Sequence, residues 1–511
     1  LLEKRWDESE KYRRPLLTRP LFVSIKKILG HNEVLPGDWS VCGTTGYEFT
    51  NALNSLFVEQ TNQKAFDDIY FNFIGEKIKF ADLIYETKKQ IMRLSLASEI
   101  MALTNLLNKI TENDRRHRDF TLNSQRNAIR EVIACFPVYR TYITPANTEV
   151  EKRDQIFIEN AVTRAKRRNT AIYPSIFDFI RDILLLKGLE NLSPEEKVAR
   201  FNFIMKFQQT TGPVIAKGLE DTAFYIYNRL IALNEVGGEP DQFGISQANF
   251  HRQQADRQRN WPFSILTTST HDTKRSEDVR LRIDVLSEIP QEWRQALGRW
   301  TRFNKKHKKT VEGQLAPSRN EEYFLYQTLL GVWPFEENLG KAALQELTGR
   351  VQEYMRKAMN EAKVNSSWVN PNEPYQQAVA EFIAEILTPG EGNRFLPEFM
   401  ALQKKVAHFG ALNSLSQALI KITSPGVPDF YQGNELWDFS LVDPDNRRPV
   451  DYKLRQRLLT QVEKVEDAGG AAELLENKAD GRVKLFVTSR ALNFRRQNHK
   501  LFYKGNYNPL E

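Results

Sequence analysis

Short apolar runs alternate along the chain with long stretches of helical periodicity. The clearest run, residues 265–268 with the sequence ILTT, passes directly into a polar cluster at residues 271–280. This pattern is typical of a buried strand whose C-terminal end opens into a site. It also fits a strand that runs into a solvated, charged helix with Asp272 or Ser276 as its N-cap. The neighbouring segments have to decide between these two interpretations.

Other short runs have the composition of strands. Residues 21–25 form an apolar run suited to a buried parallel strand, residues 136–143 alternate in polarity, and residues 482–487 are strand-like. Helical spacing dominates most of residues 48–134 and 284–420. Gly212 and Pro213 predict a break in the helix that precedes them. Strands that alternate with long helical tracts indicate an α/β protein.

Composition excludes several classes of protein. Of the 511 residues, 41% are hydrophobic and 27% are charged, as in ordinary soluble globular proteins, and the net charge of +7 is too dilute to predict nucleic-acid binding. Cys42 and Cys135 are far apart, so neither a disulfide framework nor a zinc site is expected, and a reducing compartment, the cytoplasm, is predicted. No apolar run reaches the roughly 18 residues of a membrane span, so no membrane partner is expected.

Polar and aromatic residues gather where the predicted strands end. Four such junctions occur, at residues 26–47, 139–142, 268–280 and 426–435. If they converge, aromatic rings flanked by Asp, Glu, His and Arg would suit a sugar, although each aromatic taken alone is more simply part of a helical shell. Motifs for serine nucleophiles, phosphate loops, zinc proteases and dinucleotides do not occur. Glycoside chemistry, which needs two carboxylates and often a third, gains support.

Four blocks of sequence resemble the maltooligosyltrehalose synthase family. They read SIKKILGHNEVLPGDWSVCGTTGYEF (24–49), QQTTGPVIAKGLEDTAFYIYNRLIALNEVGG (208–238), STHDTKRSEDVR (269–280) and SPGVPDFYQGNELWDFSLVDPDNRRPVDY (424–452). The resemblance implies a (β/α)8 TIM barrel of the α-amylase clan, represented by its later strands and large helical insertions. We then expect a partial barrel with helical insertions over 1–283, an inserted helical lobe over 284–420, the last barrel strand and helix over 421–470, and the start of a C-terminal β region over 471–511.

The resemblance also implies a reaction and a site. The family is a (1→4)-α-D-glucan 1-α-D-glucosylmutase, which converts the reducing-end α-1,4 linkage of a maltooligosaccharide to an α,α-1,1 linkage by a retaining double displacement, without cofactor or metal. Asp272 corresponds to the aspartate that stabilises the transition state. The residues expected to line the sugar subsites are His271, Lys274, Arg275, Tyr47, Phe224 and Tyr225.

Two departures from the family pattern stand beside these matches. The nucleophilic aspartate belongs on an upstream strand, but residues 1–20 contain only Asp7, in a charged helix-like segment. The position of the acid/base glutamate holds Lys26, and a lysine places a cation beside a developing oxocarbenium ion. We therefore expect the chain to lack the N-terminal part and C-terminal end of such an enzyme and to be inactive alone. The alternatives are a non-catalytic maltooligosaccharide-binding remnant and an α-glucan hydrolase of the same clan.

Overall fold

The computed structural model describes residues 21–30, 33–147, 149–336, 339–465 and 467–509. These residues form two compact units. The first comprises Leu1–Ile28, Leu35–Glu76 and Asn228–Glu511, and the second comprises Leu29–Val34 and Lys77–Tyr227. The predicted helix at residues 1–20, with Asp7, lies outside the described residues. Residues 77–227 thus form a unit that was not predicted, whereas the boundaries expected after residues 283, 420 and 470 stay predictions.

The strands of the first unit are short. Strand β1 (Ser24–Ile25) pairs in parallel with β2 (Gly43–Thr44), and β3 (Ile265–Leu266) pairs in parallel with β6 (Val427–Pro428). Strands β4 (Lys309–Val311) and β5 (Gln314–Ala316) form an antiparallel hairpin. The described strands are therefore two parallel pairs and one hairpin, and by themselves they do not trace a closed barrel.

Ser264 joins the two parallel pairs. Its hydroxyl accepts a hydrogen bond from the Thr44 amide at 3.2 Å, and its carbonyl accepts one from the Val427 amide at 2.9 Å. The ends of β1, β2, β3 and β6 consequently lie side by side. The run at residues 21–25 pairs in parallel as predicted, but it is not buried, because Leu21, Phe22 and Val23 are exposed.

Most of the first unit is helical. Its helices are α1 (Tyr47–Leu56), α2 (Gln63–Ile74), α9 (Gln247–Asn260), α10 (Glu277–Asp284), α11 (Pro290–Asn304), α12 (Arg319–Val332), α13 (Lys341–Ala362), α14 (Glu373–Leu387), α15 (Phe395–Thr423), α16 (Tyr452–Val462), α17 (Ala468–Glu476), α18 (Arg482–Gln497) and α19 (His499–Lys504). Helix α12 begins at a capping box, in which Ser318 and Glu321 satisfy each other's backbone amides. Trp293 and Trp300 pack edge-on with ring centroids 5.9 Å apart and anchor the aromatic core between α11, α12 and α15.

Helix α10 is fully buried although five of its eight residues are charged. Lys484 of α18 donates to Glu277 and Asp278, each at 2.8 Å, and Lys421 of α15 lies 3.5 Å from Glu277. Burial alone would raise the pKa of Glu277, but the charges of Lys421 and Lys484 outweigh it and lower that pKa. The interpretation of residues 277–280 as a solvated helix start is therefore wrong, although Ser276 is the N-cap as that interpretation proposed.

The predicted strand at residues 482–487 is wrong, because these residues begin helix α18. Val483 and Leu485 pack into a small core with Leu436 and Val462, while Lys484 reaches the charges of α10. Six alternating residues do not distinguish a strand from a helix, and the helix here continues to Gln497. The C-terminal β region expected from residue 471 is thus replaced by helices α17 to α19 in the residues described.

The second unit is a helical bundle. Its helices are α3 (Phe80–Leu94), α4 (Ala97–Asn113), α5 (Leu122–Ala134), α6 (Lys152–Arg168), α7 (Pro174–Leu184) and α8 (Pro194–Ile215). Apolar side chains such as Leu103, Val132, Ile158 and Phe203 are fully buried between them. The unit therefore has its own hydrophobic core.

Two predictions within the second unit are wrong. Residues 136–143 form no strand, because side chains rather than a partner strand satisfy their backbone: Gln208 bonds both the amide and the carbonyl of Ile143, at 2.7 and 2.9 Å. Helix α8 also continues through Pro213 to Ile215. Val214 is fully buried there, so tertiary packing outweighs the roughly 3 kcal/mol that an internal proline costs.

Among the described helices, none combines the length and the apolar character that crossing a bilayer would require.

The buried charges of α10 lead to a test of the fold. Replacing Lys484 with methionine leaves Glu277 and Asp278 without their shared ammonium partner, so the free energy of unfolding in urea should fall by about 3–5 kcal/mol. Lys405→Met removes an exposed ion pair with Glu292 and should cost about 1 kcal/mol or less. Equal losses in the two variants would contradict a structural role for the buried cluster.

Candidate functional site

The loop that follows β3 carries Asp272. Its backbone amide donates to the Thr270 hydroxyl at 3.1 Å, and the Thr273 hydroxyl donates to the Thr270 carbonyl at 2.8 Å. The amide side chain of Asn446 donates to the His271 carbonyl at 3.2 Å. Because hydrogen bonds fix this backbone on both sides of the carboxylate, Asp272 is held at a defined position beyond the strand end.

Three side chains meet at the Asp272 carboxylate. Lys26, which follows β1, forms an ion pair with it, and the Tyr47 hydroxyl donates to the same oxygen at 3.3 Å. The Nε2 atom of His271 lies 3.3 Å from the other oxygen. The side chains of Lys26, His271 and Asp272 are 54%, 51% and 34% exposed, so the cluster faces solvent and can reach a ligand.

The electrostatics of the cluster follow from these contacts. Burial of Asp272 opposes its ionisation, but the hydrogen bond and charge of Lys26, with smaller contributions from His271 and Tyr47, outweigh burial and lower the pKa of Asp272. Burial raises the pKa of the Tyr47 phenol, and Asp272 adds to this increase. Tyr47 therefore remains a neutral donor beside an ionised Asp272.

Gly46 explains how Tyr47 reaches the site. It precedes α1 with a φ of 90°, and a Cβ atom at this position would lie 2.2 Å from the Ile265 carbonyl. Only glycine allows both the left-handed backbone and this close approach to β3. The GTTGY block thus brings the start of α1 against β3, the strand that precedes the Asp272 loop.

The Glu235 carboxylate binds backbone amides of the loop that carries Asp272, and this role was not predicted. It accepts hydrogen bonds from the amides of Lys274 at 2.8 and 2.9 Å and of Arg275 at 3.3 Å, and it pairs with Arg280 at 3.4 Å. Glu235 is only 1% exposed. In the sequence it lies in NEVGG, a segment that resembles a helix end, and nothing local reveals a contact 40 residues away.

The structure places Lys274 and Arg275 in the interior. Lys274 is buried, and the Arg275 guanidinium donates to the carbonyl of Ile231 at 3.0 Å and lies 5.4 Å from the Phe324 ring centroid. The contacts of Arg275 therefore stabilise the loop in this structure. Their direct contact with a sugar stays a prediction.

Phe224 and Tyr225 belong to the second unit, where both are buried in a 3-10 turn (Ala223–Tyr225). Their predicted role in sugar binding stays a prediction, as does that of the junction at residues 139–142 in the same unit.

The other three junctions do meet within the first unit. Lys26 and residues 268–280 join at Asp272, and the third junction contributes Tyr431, whose hydroxyl donates to the Asn446 carbonyl at 3.2 Å. Burial raises the pKa of Tyr431, and the negative charges of Asp438 and Asp272 add to this increase. Tyr431 was not singled out as a site residue in the sequence.

Among the residues that the structure describes, no group of three or more His, Cys, Asp and Glu side chains is arranged to hold a metal ion. The described groups that contact the Asp272 carboxylate are a lysine, a tyrosine and a histidine. This set can bind hydroxyl groups, since it combines one charged acceptor with several donors.

Comparison with known proteins gives the class to which this chain is similar. No family model matches the chain. The similar solved structures are maltooligosyltrehalose or glycosyltrehalose synthases. The resemblance inferred from the four sequence blocks is therefore confirmed.

Particular relatives make the similarity more specific. Maltooligosyltrehalose synthase from Arthrobacter ramosus is 30% identical over 98% of this chain and 56% of its own, with a TM-score of 0.75. A hypothetical maltooligosyl trehalose synthase of Sulfolobus tokodaii is 33% identical over 96% of this chain and 57% of its own, with a TM-score of 0.74. A putative maltooligosyl trehalose synthase of Mycobacterium tuberculosis is 40% identical over 309 residues, which are 60% of this chain and 35% of that protein. The chain thus spans little more than half of the similar solved chains.

The ion pair at Asp272 gives a titration that can be measured. A pKa lowered in the folded state stabilises the protein above the unfolded value of roughly 3.9, and this contribution is lost as the pH falls through the lowered pKa. In Lys26→Met the pKa of Asp272 should rise, as followed by carbon NMR of the aspartate carboxyl groups with Asp272→Asn for assignment. Lys309→Met, which removes an exposed pair with Glu381, should leave it unchanged. An identical Asp272 titration in the wild type and Lys26→Met would contradict the ion pair.

Proposed function

We propose that the first unit carries the sugar site of an enzyme of the maltooligosyltrehalose synthase type. Such an enzyme rearranges the reducing-end α-1,4 linkage of a maltooligosaccharide to an α,α-1,1 linkage. The observation that carries the proposal is the Asp272 carboxylate, ionised and one-third exposed at the end of β3, with Tyr47 and His271 against its oxygens.

The same proposal assigns the strands of the first unit to a (β/α)8 barrel. Strands β1, β2, β3 and β6 would be later strands of a (β/α)8 barrel, with the helical segments as insertions. Their parallel pairing, the link through Ser264 and the position of the site beyond the end of β3 support this arrangement, because active sites of such barrels lie at the carboxyl ends of the strands.

Asp272 suits the role of sugar-binding carboxylate. A carboxylate with two oxygens accepts hydrogen bonds from two neighbouring hydroxyl groups of a sugar, and these bonds strengthen as positive charge develops on the ring. The Tyr47 ring is buried, so Tyr47 contributes its hydroxyl group, which lies 3.3 Å from the carboxylate. Neutral Tyr47 can also donate to a hydroxyl group.

Retaining glycoside chemistry needs two further carboxyl groups, a nucleophile and an acid/base. In the described part of the chain, the residue that faces Asp272 at the acid/base position is Lys26. The Lys26 ammonium group would repel a developing oxocarbenium ion. Its ion pair also engages the Asp272 carboxylate that would otherwise bind the hydroxyl groups of a sugar. This ion pair favours the second candidate function, in which the chain binds maltooligosaccharides without turning them over.

Sugar binding tests the site itself. Asp272→Ala should weaken the affinity for maltopentaose about tenfold or more in isothermal titration calorimetry, since it removes charge-assisted hydrogen bonds. Asp82→Ala removes an exposed ion pair with Arg168 in the second unit and should leave the affinity unchanged. Unchanged affinity in Asp272→Ala, with the wild type binding measurably, would exclude Asp272 from the site.

Product analysis tests the reaction. After incubation with maltopentaose, the chain should cause no loss of reducing ends and release no glucose. Lys26→Glu is assayed in parallel because it returns the carboxyl group that the resemblance implies. Turnover in this variant alone would show that Lys26 prevents catalysis in the wild type. Trehalose-ended product from the wild type would refute the loss of catalysis, and released glucose would favour a hydrolase.

A further inference from the structure

Helices α13 and α14 are joined by a loop, residues 363–372, that exposes apolar side chains at its tip. Trp368 is 49% exposed and Val369 is 96% exposed, with Val364 exposed at 66% on the same loop. Burial of such side chains normally stabilises a protein, each by roughly 1.5–3 kcal/mol. The exposure of these three side chains therefore suggests that the loop binds a ligand.

The loop is held firmly in this conformation. The Ser366 hydroxyl donates to the Asn360 side chain at 2.8 Å and accepts from the Asn372 amide at 3.1 Å and from Gln376 at 2.7 Å. Asn365 donates to Glu321 of α12 at 3.0 Å. Side-chain bonds thus fix the loop at its base and along its length.

Trp368 is held as well. Its indole nitrogen donates to Glu361 at 3.0 Å, and the Arg356 guanidinium lies 5.7 Å from its ring centroid. The amide of Asn370 is bonded to the Ser367 hydroxyl at 3.0 Å, which closes the turn around the ring. The exposed ring is thus fixed and bordered by charged and amide groups.

Helix α13 connects this loop with the site. Arg350 donates to Asp445 at 2.8 Å, and Lys357 donates to Asp443 at 2.8 Å, both in the segment from which Asn446 contacts the Asp272 loop. Trp368 is bonded to Glu361 near the end of this helix, whereas the described contacts of the Asp272 carboxylate come from other side chains. The ring is therefore not among the groups that surround Asp272.

The size of the patch favours a carbohydrate over a protein. A stable protein interface buries about 800 Å² on each partner, whereas this loop exposes three apolar residues, and Trp368 among them is bordered by Arg356 and Glu361. A fixed aromatic face with planar hydrogen-bonding groups at its edge matches the apolar face and the hydroxyl rim of a glucose ring.

We propose that Trp368, with Val369 beside it, is a second binding platform for α-1,4-glucan chains, separate from the Asp272 site. This inference rests on the proposed function, because it takes the same class of substrate. The platform holds long chains, whereas short maltooligosaccharides occupy only the site at Asp272.

Affinity electrophoresis in gels with and without soluble amylose tests the platform. Trp368→Ala should weaken amylose retention about three- to tenfold, whereas Trp368→Phe should keep most of it. Phe409→Ala removes an aromatic of similar exposure, 45%, from α15 and should behave as the wild type. Circular dichroism checks that the variants are folded.

Maltotriose binding separates this inference from the proposed function. Maltotriose affinity should be unchanged in Trp368→Ala and reduced in Asp272→Ala. Wild-type maltotriose binding with equal amylose retention in Trp368→Ala would refute the platform alone, and a wild type that binds neither sugar would refute both. Loss of self-association in Trp368→Ala, with amylose retention unchanged, would assign the ring to a protein contact and overturn the proposal.

Discussion

The structure of the first unit depends on a cluster of charges that is out of contact with water. Glu277 and Asp278 begin a fully buried helix, and their partners Lys421 and Lys484 come from helices far along the chain. Each charge would be costly to bury alone, so all the segments that supply them must be in place together. The cluster also adjoins the segment after β3, since Thr268 donates to Glu277. The segment that leads to Asp272 is therefore fixed by a cluster whose lysines come from two distant parts of the chain.

The fixed loop after β3 holds the Asp272 carboxylate in one position. Glu235 and Asn446 bind the backbone around it, so the carboxylate projects from a rigid loop while remaining open to solvent. The partner that it meets is Lys26 rather than a second carboxyl group. The geometry consequently favours recognition of hydroxyl groups, and the same ion pair opposes the charge development that glycosyl transfer requires.

Of the residues that the resemblance assigned to the site, Lys26, Tyr47, His271 and Asp272 contact one another. Lys274 and Arg275 lie in the interior, because the loop after β3 turns back towards Glu235. Residues 482–487 were misjudged, because six alternating residues suit a strand as well as a helix, and only the buried partners of Lys484 decide between them. Glu235 and the buried arginines could not be foreseen, since a charged residue in the sequence gives no sign of a partner 40 or more positions away.

A crystal structure of the chain soaked with maltotriose would test the central claim most directly. The account predicts a glucose ring with its hydroxyl groups on the Asp272 carboxylate, and Lys26 displaced from that carboxylate. Maltotriose bound away from Asp272, with the Lys26–Asp272 ion pair intact, would contradict it.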